Sequence, residues 1–125
     1  MILSIVIPTK NEEKYLPELL QSIRRQNFPA SEYEIIVADN KSKDRTKEIA
    51  KQYNCRITKG GLPGPGRNFG AREAKGEILL FLDSDTRLLT KNFLKKSIAE
   101  FKKKGIDIGV PEAFVKGKKM DKLFF

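Results

Sequence analysis

Ile78-Leu79-Leu80-Phe81-Leu82-Asp83-Ser84-Asp85 is the stretch on which the reading of the fold turns. Five apolar residues follow Gly76-Glu77, which predicts a short strand buried on both faces, as in a parallel sheet. Two carboxylates then stand at its C-terminal end, at i and i+2. In an open parallel sheet ligands gather beyond the carboxyl ends of the strands. Two acids this close together need a counter-charge. A divalent cation of the Mg²⁺ or Mn²⁺ type, holding a diphosphate through oxygen ligands, would supply it. The plainer alternative is a strand-ending turn in which an Asp caps the next segment.

Outward from that stretch, strands and helices alternate. Leu3 to Ile7 is a β-branched apolar run expected to stop at Pro8. Asn11 can cap a helix with Glu12 and Glu13 in its first turn, Pro17 early in it, and Leu16, Leu19, Leu20 and Ile23 on one face. Ile35-Ile36-Val37-Ala38 reads as a second strand ending in Asp39-Asn40, followed by a helix from about Asp44 to Tyr53. Cys55-Arg56-Ile57 reads as a third strand. A glycine-proline loop, Lys59 to Gly66, then leads into a helix reaching Ala74, with Pro65 near its first position and Gly76 beyond its end. After the 78–82 strand, Thr90 can cap a helix presenting Leu94, Ile98 and Phe101. Gly105 ends it, and Ile106 to Val110 reads as a fifth strand. The alternation predicts right-handed crossovers and a mostly parallel sheet covered on both faces.

Composition narrows the chemistry. The 125 residues suit a single domain, 1–125, with one core. No apolar run approaches the roughly 20 residues of a spanning helix, and Met1 to Ile7 lacks the basic flank and length of a signal core. Cys55 is the one cysteine, which predicts no internal disulfide, a reducing compartment and an inert, buried thiol. Histidine is absent, so Ser-His and Cys-His nucleophile schemes are excluded and acid–base work falls to carboxylates, Lys or Tyr. The net charge of +9 is uneven: residues 1–86 hold 14 Lys and Arg against 12 Asp and Glu, whereas 87–125 hold 11 against 4. That basic end suits a phosphate-rich partner or an anionic membrane surface, or equally a solvated lysine face. With no aromatic interleaved in Lys102-Lys103-Lys104, nucleic acid is not expected as a partner.

Polar residues collect at the strand ends: Pro8-Thr9-Lys10-Asn11-Glu12, Asp39-Asn40-Lys41-Ser42 and Asp83-Ser84-Asp85. Asp39 is placed to accept hydrogen bonds from a base or ribose, or else to form an Asx-turn. Asn40 to Asp44 can be a polar loop leading to a cap, and Glu12 a first-turn charge. Gly64-Pro65-Gly66-Arg67-Asn68 opens a helix whose N-terminus favours an anion, and Arg67 adds a forked cation. Gly64, Gly66 and Gly70 make only G-x-G-x-x-x-G after the third strand, a weak match to a dinucleotide fingerprint.

These motifs together resemble the inverting family 2 glycosyltransferases of GT-A fold. Ile5 to Glu12 looks like the family's opening. Asp39 to Thr46 is similar to its D-[GN]-S-x-D-x-T signature with one extra residue, Lys41. Gly64 to Ala71 resembles its R-N-x-G segment, and Leu82 to Asp85 its D-x-D motif. The four occur in family order across residues 1–86. The resemblance implies a Rossmann-like three-layer α/β sandwich with a mostly parallel central sheet, its acceptor half missing from this chain.

It further implies a nucleotide-sugar-binding domain acting on a UDP- or GDP-linked donor. Pro8, Thr9 and Glu12 would line the nucleotide pocket, Asp39 would read the base, and Arg67 would lie near base or ribose. Asp83 would contact the ribose or the metal, and Asp85 would bind Mg²⁺ or Mn²⁺ at the diphosphate. An activated acceptor hydroxyl, of a polysaccharide, lipid-linked or protein glycan, would attack the anomeric carbon. The family's general base lies on a later segment that nothing here matches, and Asp107, Glu112 and Asp121 have no convincing context. The expectation is thus a fragment or small remnant of such an enzyme, the alternatives being a binding module without activity alone or a domain completed by a partner. A homodimer, a cytoplasmic location and peripheral membrane contact through the basic, apolar C-terminus complete the expectations.

Overall fold

The computed structural model describes residues 1–61, 63–104, 113–115 and 118–120, the side chains of 63–67, 104, 113–115 and 118–120 excepted. Four strands, β1 (Leu3–Thr9), β2 (Tyr33–Asp39), β3 (Arg56–Lys59) and β4 (Ile78–Phe81), form a sheet of order β3-β2-β1-β4 in which every pairing is parallel. The α/β class and the covered parallel sheet follow the sequence expectation. A separate antiparallel hairpin joins β5 (Ala113–Val115) to β6 (Lys118–Met120), which the sequence pattern did not suggest. The expected fifth strand at 106–110 lies outside the described residues, as do Gly105, Asp107, Glu112 and Asp121.

Side-chain alternation assigns the two faces. Leu3, Ile5 and Ile7 of β1, Tyr33, Ile35 and Val37 of β2, and Ile78 and Leu80 of β4 share one buried cluster. Leu16, Leu19, Leu20 and Ile23 of α1 (Leu16–Arg24), Ile49 and Ala50 of α2 (Thr46–Gln52), and Leu94 and Ile98 of α4 (Phe93–Lys104) complete it. The expected helical stripes are therefore the core stripes. The opposite face is covered by α3 (Pro63–Glu73), which lies over β1, β2 and β3. Gly70 is its point of closest approach: a Cβ there would collide with Cγ1 of Val6. Among the described residues no helix is long and apolar enough to cross a membrane.

Several boundaries differ from the sequence reading. Strand β1 continues through Pro8 to Thr9. Its even-numbered residues face β4, since the Ile2 and Val6 carbonyls accept from the Ile78 and Leu82 N–H groups. The register with β4 ends at Val6 and Phe81, so the N–H that Pro8 lacks is one no strand would have received. Strand β4 is not buried on both faces: Leu79 and Phe81 are half-buried, because among the described residues β4 is an edge strand and α3 lies mainly over its neighbours. Helix α3 begins at Pro63, so Gly64, Pro65 and Gly66 lie in its first turn instead of a loop. Helix α4 begins at Phe93, beyond the expected cap at Thr90.

At the amino edge, a buried carboxylate clasps the α3 face. Glu34 accepts from Ser4 Oγ (2.6 Å), Arg56 Nη1 (2.6 Å) and the Lys75 N–H (2.7 Å). Arg56 also reaches the Glu73 carbonyl (2.8 Å), and Ser4 Oγ accepts from the Gly76 N–H (2.8 Å), so the α3–β4 turn is bound to three strands. Burial opposes the charge of Glu34, but the hydrogen bonds from Ser4, Lys75 and Arg56 outweigh it and its pKa is lowered from the ordinary 4.5. Cys55, expected to be buried, is only partly so, and burial, only partly offset by Arg24, pushes its thiol up to about 12.

Two stability predictions follow from this packing. Gly70→Ala should cost about 1–3 kcal/mol by urea unfolding, and less in a Val6→Ala background, since the clash is with that side chain. A lowered carboxylate pKa stabilises the fold above the unfolded value and loses that contribution as pH falls through the folded one. Urea midpoints measured against pH should therefore fall below about pH 4.5, and more shallowly in Glu34→Gln than in the unaltered chain.

Candidate functional site

Because all four strands run the same way, their C-termini share one edge, which carries Lys59, Asp39, Thr9 and the Leu82-Asp83 exit in spatial order. The register pairs Thr9 directly with Asp39. Thr9 Oγ1 donates to Asp39 Oδ1 (2.7 Å), joining two residues that the sequence reading assigned to one site. Both are buried, Asp39 at 7% and Thr9 at 5% exposure.

Asp39 is also the origin of a turn. The Ser42 N–H donates to its Oδ2 (3.0 Å) and the Ser42 hydroxyl to its Oδ1 (2.6 Å). Of the two readings weighed from sequence, these bonds show the Asx-type turn. Beneath it, the Gly60 N–H donates to the Asp39 carbonyl (2.8 Å), and a Cβ on Gly60 would lie 2.5 Å from the Asp39 carbonyl carbon. Only a glycine permits β3 to leave the sheet so close to β2.

The loops after β1 and β2 are bound as one body. Three consecutive N–H groups donate across the gap: Asn11 to Ser42 Oγ (2.8 Å), Glu12 to Thr46 Oγ1 (2.8 Å) and Glu13 to Asp44 Oδ2 (3.1 Å). In return the Lys43 N–H donates to Asn11 Oδ1 (2.8 Å), and Asp44 Oδ1 accepts from the N–H and hydroxyl of Thr46. Asn11 is consequently not the cap of α1. It has φ 53°, its side chain is engaged by the second loop, and Tyr15 stands at the cap without a side-chain bond. The Ser42, Asp44 and Thr46 contacts were missed from sequence. Their signal was a run of short hydroxyl and carboxylate side chains, but their partners lie 31–34 residues away. Lys41, read as an extra residue, has φ 53°, the left-handed region that favours glycine.

On the other side of β1, the Leu82 N–H still donates to the Val6 carbonyl (3.0 Å), and the chain then turns. The Thr86 N–H (3.1 Å) and hydroxyl (2.7 Å) both donate to the Asp83 carbonyl, and Ser84 and Thr86 are buried. Asp83 is exposed and Asp85 half-buried on this pinned turn. Among the described residues no three potential metal ligands cluster. The two carboxylates at i and i+2 on this turn are hard oxygen donors of the kind that a divalent cation takes. Glu12 is half-buried and its carbonyl accepts from Tyr15 and Leu16. Arg67 lies in the first half of α3, with its side chain outside the described residues.

Helix α1 supports the far end of this edge. Gln26 bridges the Thr90 carbonyl (2.6 Å) and the Leu94 N–H (3.0 Å), while Ser22 Oγ receives the Leu88 N–H (3.0 Å).

Comparison with known proteins bears on what such an edge does. Residues 4–123 match the family model described as glycosyl transferase family 2. The chain is 39% identical over 107 residues to the poly(ribitol-phosphate) beta-N-acetylglucosaminyltransferase TarS of Staphylococcus aureus, covering 79% of this chain and 18% of that protein. It is 37% identical over 135 residues to a poly(ribitol-phosphate) beta-glucosyltransferase of Bacillus spizizenii, covering 93% of this chain and 21% of that one. The crystal structure of S. aureus TarS 1–349 in complex with UDP-GlcNAc superposes with a TM-score of 0.80 at 35% identity, over 96% of this chain and 37% of the other. The chain thus spans about a fifth of the length of these two relatives.

The left-handed Lys41 yields a prediction for the loop pair. Lys41→Gly should stabilise the protein by about 0.5 kcal/mol net of the added unfolded-state freedom, whereas Lys41→Ala should not. Thermal unfolding of the two variants side by side measures it.

Proposed function

Because the chain belongs to glycosyl transferase family 2, we propose that its carboxyl edge holds a UDP- or GDP-linked sugar and serves transfer of that sugar to an acceptor hydroxyl. The observation that carries the reading is the cross-strand Thr9–Asp39 pair, flanked on the same edge by the Asp83–Asp85 turn. Pro8, Thr9 and Glu12 line the nucleotide pocket, Asp39 accepts from the base, and Arg67 approaches base or ribose. Asp83 contacts ribose or metal, and Asp85 holds Mg²⁺ or Mn²⁺.

The division of labour follows from charge. A diphosphate leaving group develops negative charge beside two carboxylates, which repel it. A divalent cation held by Asp83 and Asp85 would supply the compensating Lewis acid. The protein's own contribution is positional: Thr86 fixes the turn that carries the two acids, while Ser42 and Thr9 fix the carboxylate that meets the base. Two relatives are named for action on poly(ribitol-phosphate). Together with 11 Lys and Arg against 4 acids in 87–125, this supports a phosphate-bearing polymer as the acceptor class. The general base is not assigned among the described residues.

Calorimetric titration with UDP and GDP, with and without Mn²⁺, tests the reading, and metal-dependent binding of at least one is expected. Asp85→Asn should weaken that binding by roughly tenfold or more with the melting temperature preserved. An unchanged affinity in Asp85→Asn removes this residue from the metal site, and no nucleotide binding in the unaltered chain refutes the reading itself.

A further inference from the structure

We infer that Ser22 and Gln26 are positioning residues for the Asp83–Asp85 turn: from α1 and the bend after it they clamp the segment that leaves the turn, and so set how tightly the two acids take a divalent cation. The inference rests on the proposed reading of those acids as cation ligands, and adds to it the side chains that hold them in place.

The acids sit on a span with two anchors. Upstream, the Leu82 N–H donates to the Val6 carbonyl (3.0 Å), which ties the span to the sheet. Strand β4 has ended at Phe81, and residues 82–92 form neither strand nor helix. Thr86 closes the turn on the Asp83 carbonyl, but that bond is internal and does not place the turn against the rest of the molecule. Backbone groups further on need partners from elsewhere. The Leu88 N–H finds Ser22 Oγ (3.0 Å). That hydroxyl gives its own proton to the Leu19 carbonyl (2.7 Å), so its oxygen is fixed as an acceptor. Gln26 uses both ends of its amide: Nε2 donates to the Thr90 carbonyl (2.6 Å), and Oε1 accepts from the Leu94 N–H (3.0 Å) in the first turn of α4. The Asn27 N–H adds a bond to the Lys91 carbonyl (2.7 Å).

These are buried contacts. Ser22 is 6% and Gln26 8% exposed, and polar side chains so deep are costly unless their hydrogen bonds are made. Leu88 and Leu94, whose N–H groups they take, put their own side chains into the core. The neighbouring Arg87–Glu18 pair (3.7 Å), with Glu18 more than half exposed, anchors little by comparison. Residues 83–87 alone separate the anchored N–H groups of Leu82 and Leu88. Two carboxylates chelate a cation in one relative geometry. Releasing one end of so short a span adds freedom that binding must remove, and the loss falls on metal affinity.

Mn²⁺ affinity at saturating UDP or GDP, whichever the unaltered chain binds, tests this when read from the paramagnetic resonance of free Mn²⁺. The proteins compared are the unaltered chain, Ser22→Ala, Gln26→Leu and Glu34→Gln, each measured well below its melting temperature. Ser22→Ala and Gln26→Leu should each weaken Mn²⁺ binding by about threefold to tenfold. Glu34→Gln, which loosens the amino edge instead, should keep the unaltered affinity. A merely structural role for Ser22 and Gln26 would lower the melting temperature and leave the Mn²⁺ affinity of the folded protein alone. Should one of the two variants not fold, the other reads the same shift through its own anchor. An unmoved affinity in either folded variant, or an equal loss in Glu34→Gln, overturns the inference while leaving the cation site intact. Failure of the unaltered chain to bind Mn²⁺ overturns the underlying reading instead.

Discussion

Three successive backbone N–H groups, at Asn11, Glu12 and Glu13, leave β1 before α1 has begun, and the structure depends on where they go. They are received by the side chains of Ser42, Thr46 and Asp44, on the loop that leaves β2. Two of these bonds are partly buried, and a donor left there without a partner is costly, up to about 1–3 kcal/mol when burial is complete. The two loops consequently form one body whose geometry is dictated by hydrogen bonding and not by apolar packing. Asp39 hangs from that body through Ser42 and is tied to β1 through Thr9. A carboxylate held by three donors keeps one orientation.

The two edges of the sheet use buried carboxylates in opposite ways. At the amino edge Glu34 is compensated by a full cation, Arg56, as well as by Ser4 and a backbone N–H, and its charge serves the attachment of α3. At the carboxyl edge Asp39 receives hydroxyl and amide donors but, among the described residues, no cation. Asp83 and Asp85 stand on a turn pinned through backbone and hydroxyl contacts.

Close packing connects these edges. Gly70 lets α3 settle against Val6, Gly60 lets the chain leave β3 against the Asp39 backbone, and Gly76 meets the Leu3–Ser4 peptide. Each glycine stands where another segment's backbone or a β-branched side chain occupies the space of a Cβ. Displacing α3 would disturb the strands that carry Thr9 and Asp39 as well as its own Gly-rich beginning. The fold and the site therefore share their tolerances.

The sequence by itself determined the alternation of strands and helices, the core stripes on α1 and α4, and the gathering of Thr9, Asp39, Asp83 and Asp85 at the strand ends. Each of these is a local property of spacing: period 2 or 3.6 in apolar residues, and a polar residue where an apolar run stops. Tertiary structure decided what local spacing does not encode. Asn11, read as a helix cap, is a bridge to residue 43, because its left-handed backbone turns its side chain toward a loop 32 residues away. Pro8 lies inside a strand because β4 ends before reaching it. Leu79 and Phe81 are only half-buried because β4 is an edge among the described strands. Ser42, Asp44 and Thr46, read as loop and cap residues, prove to be the acceptors for another loop's backbone. A hydrogen bond's partner is chosen by the path of the whole chain, and that choice is visible only once the strands have been laid side by side.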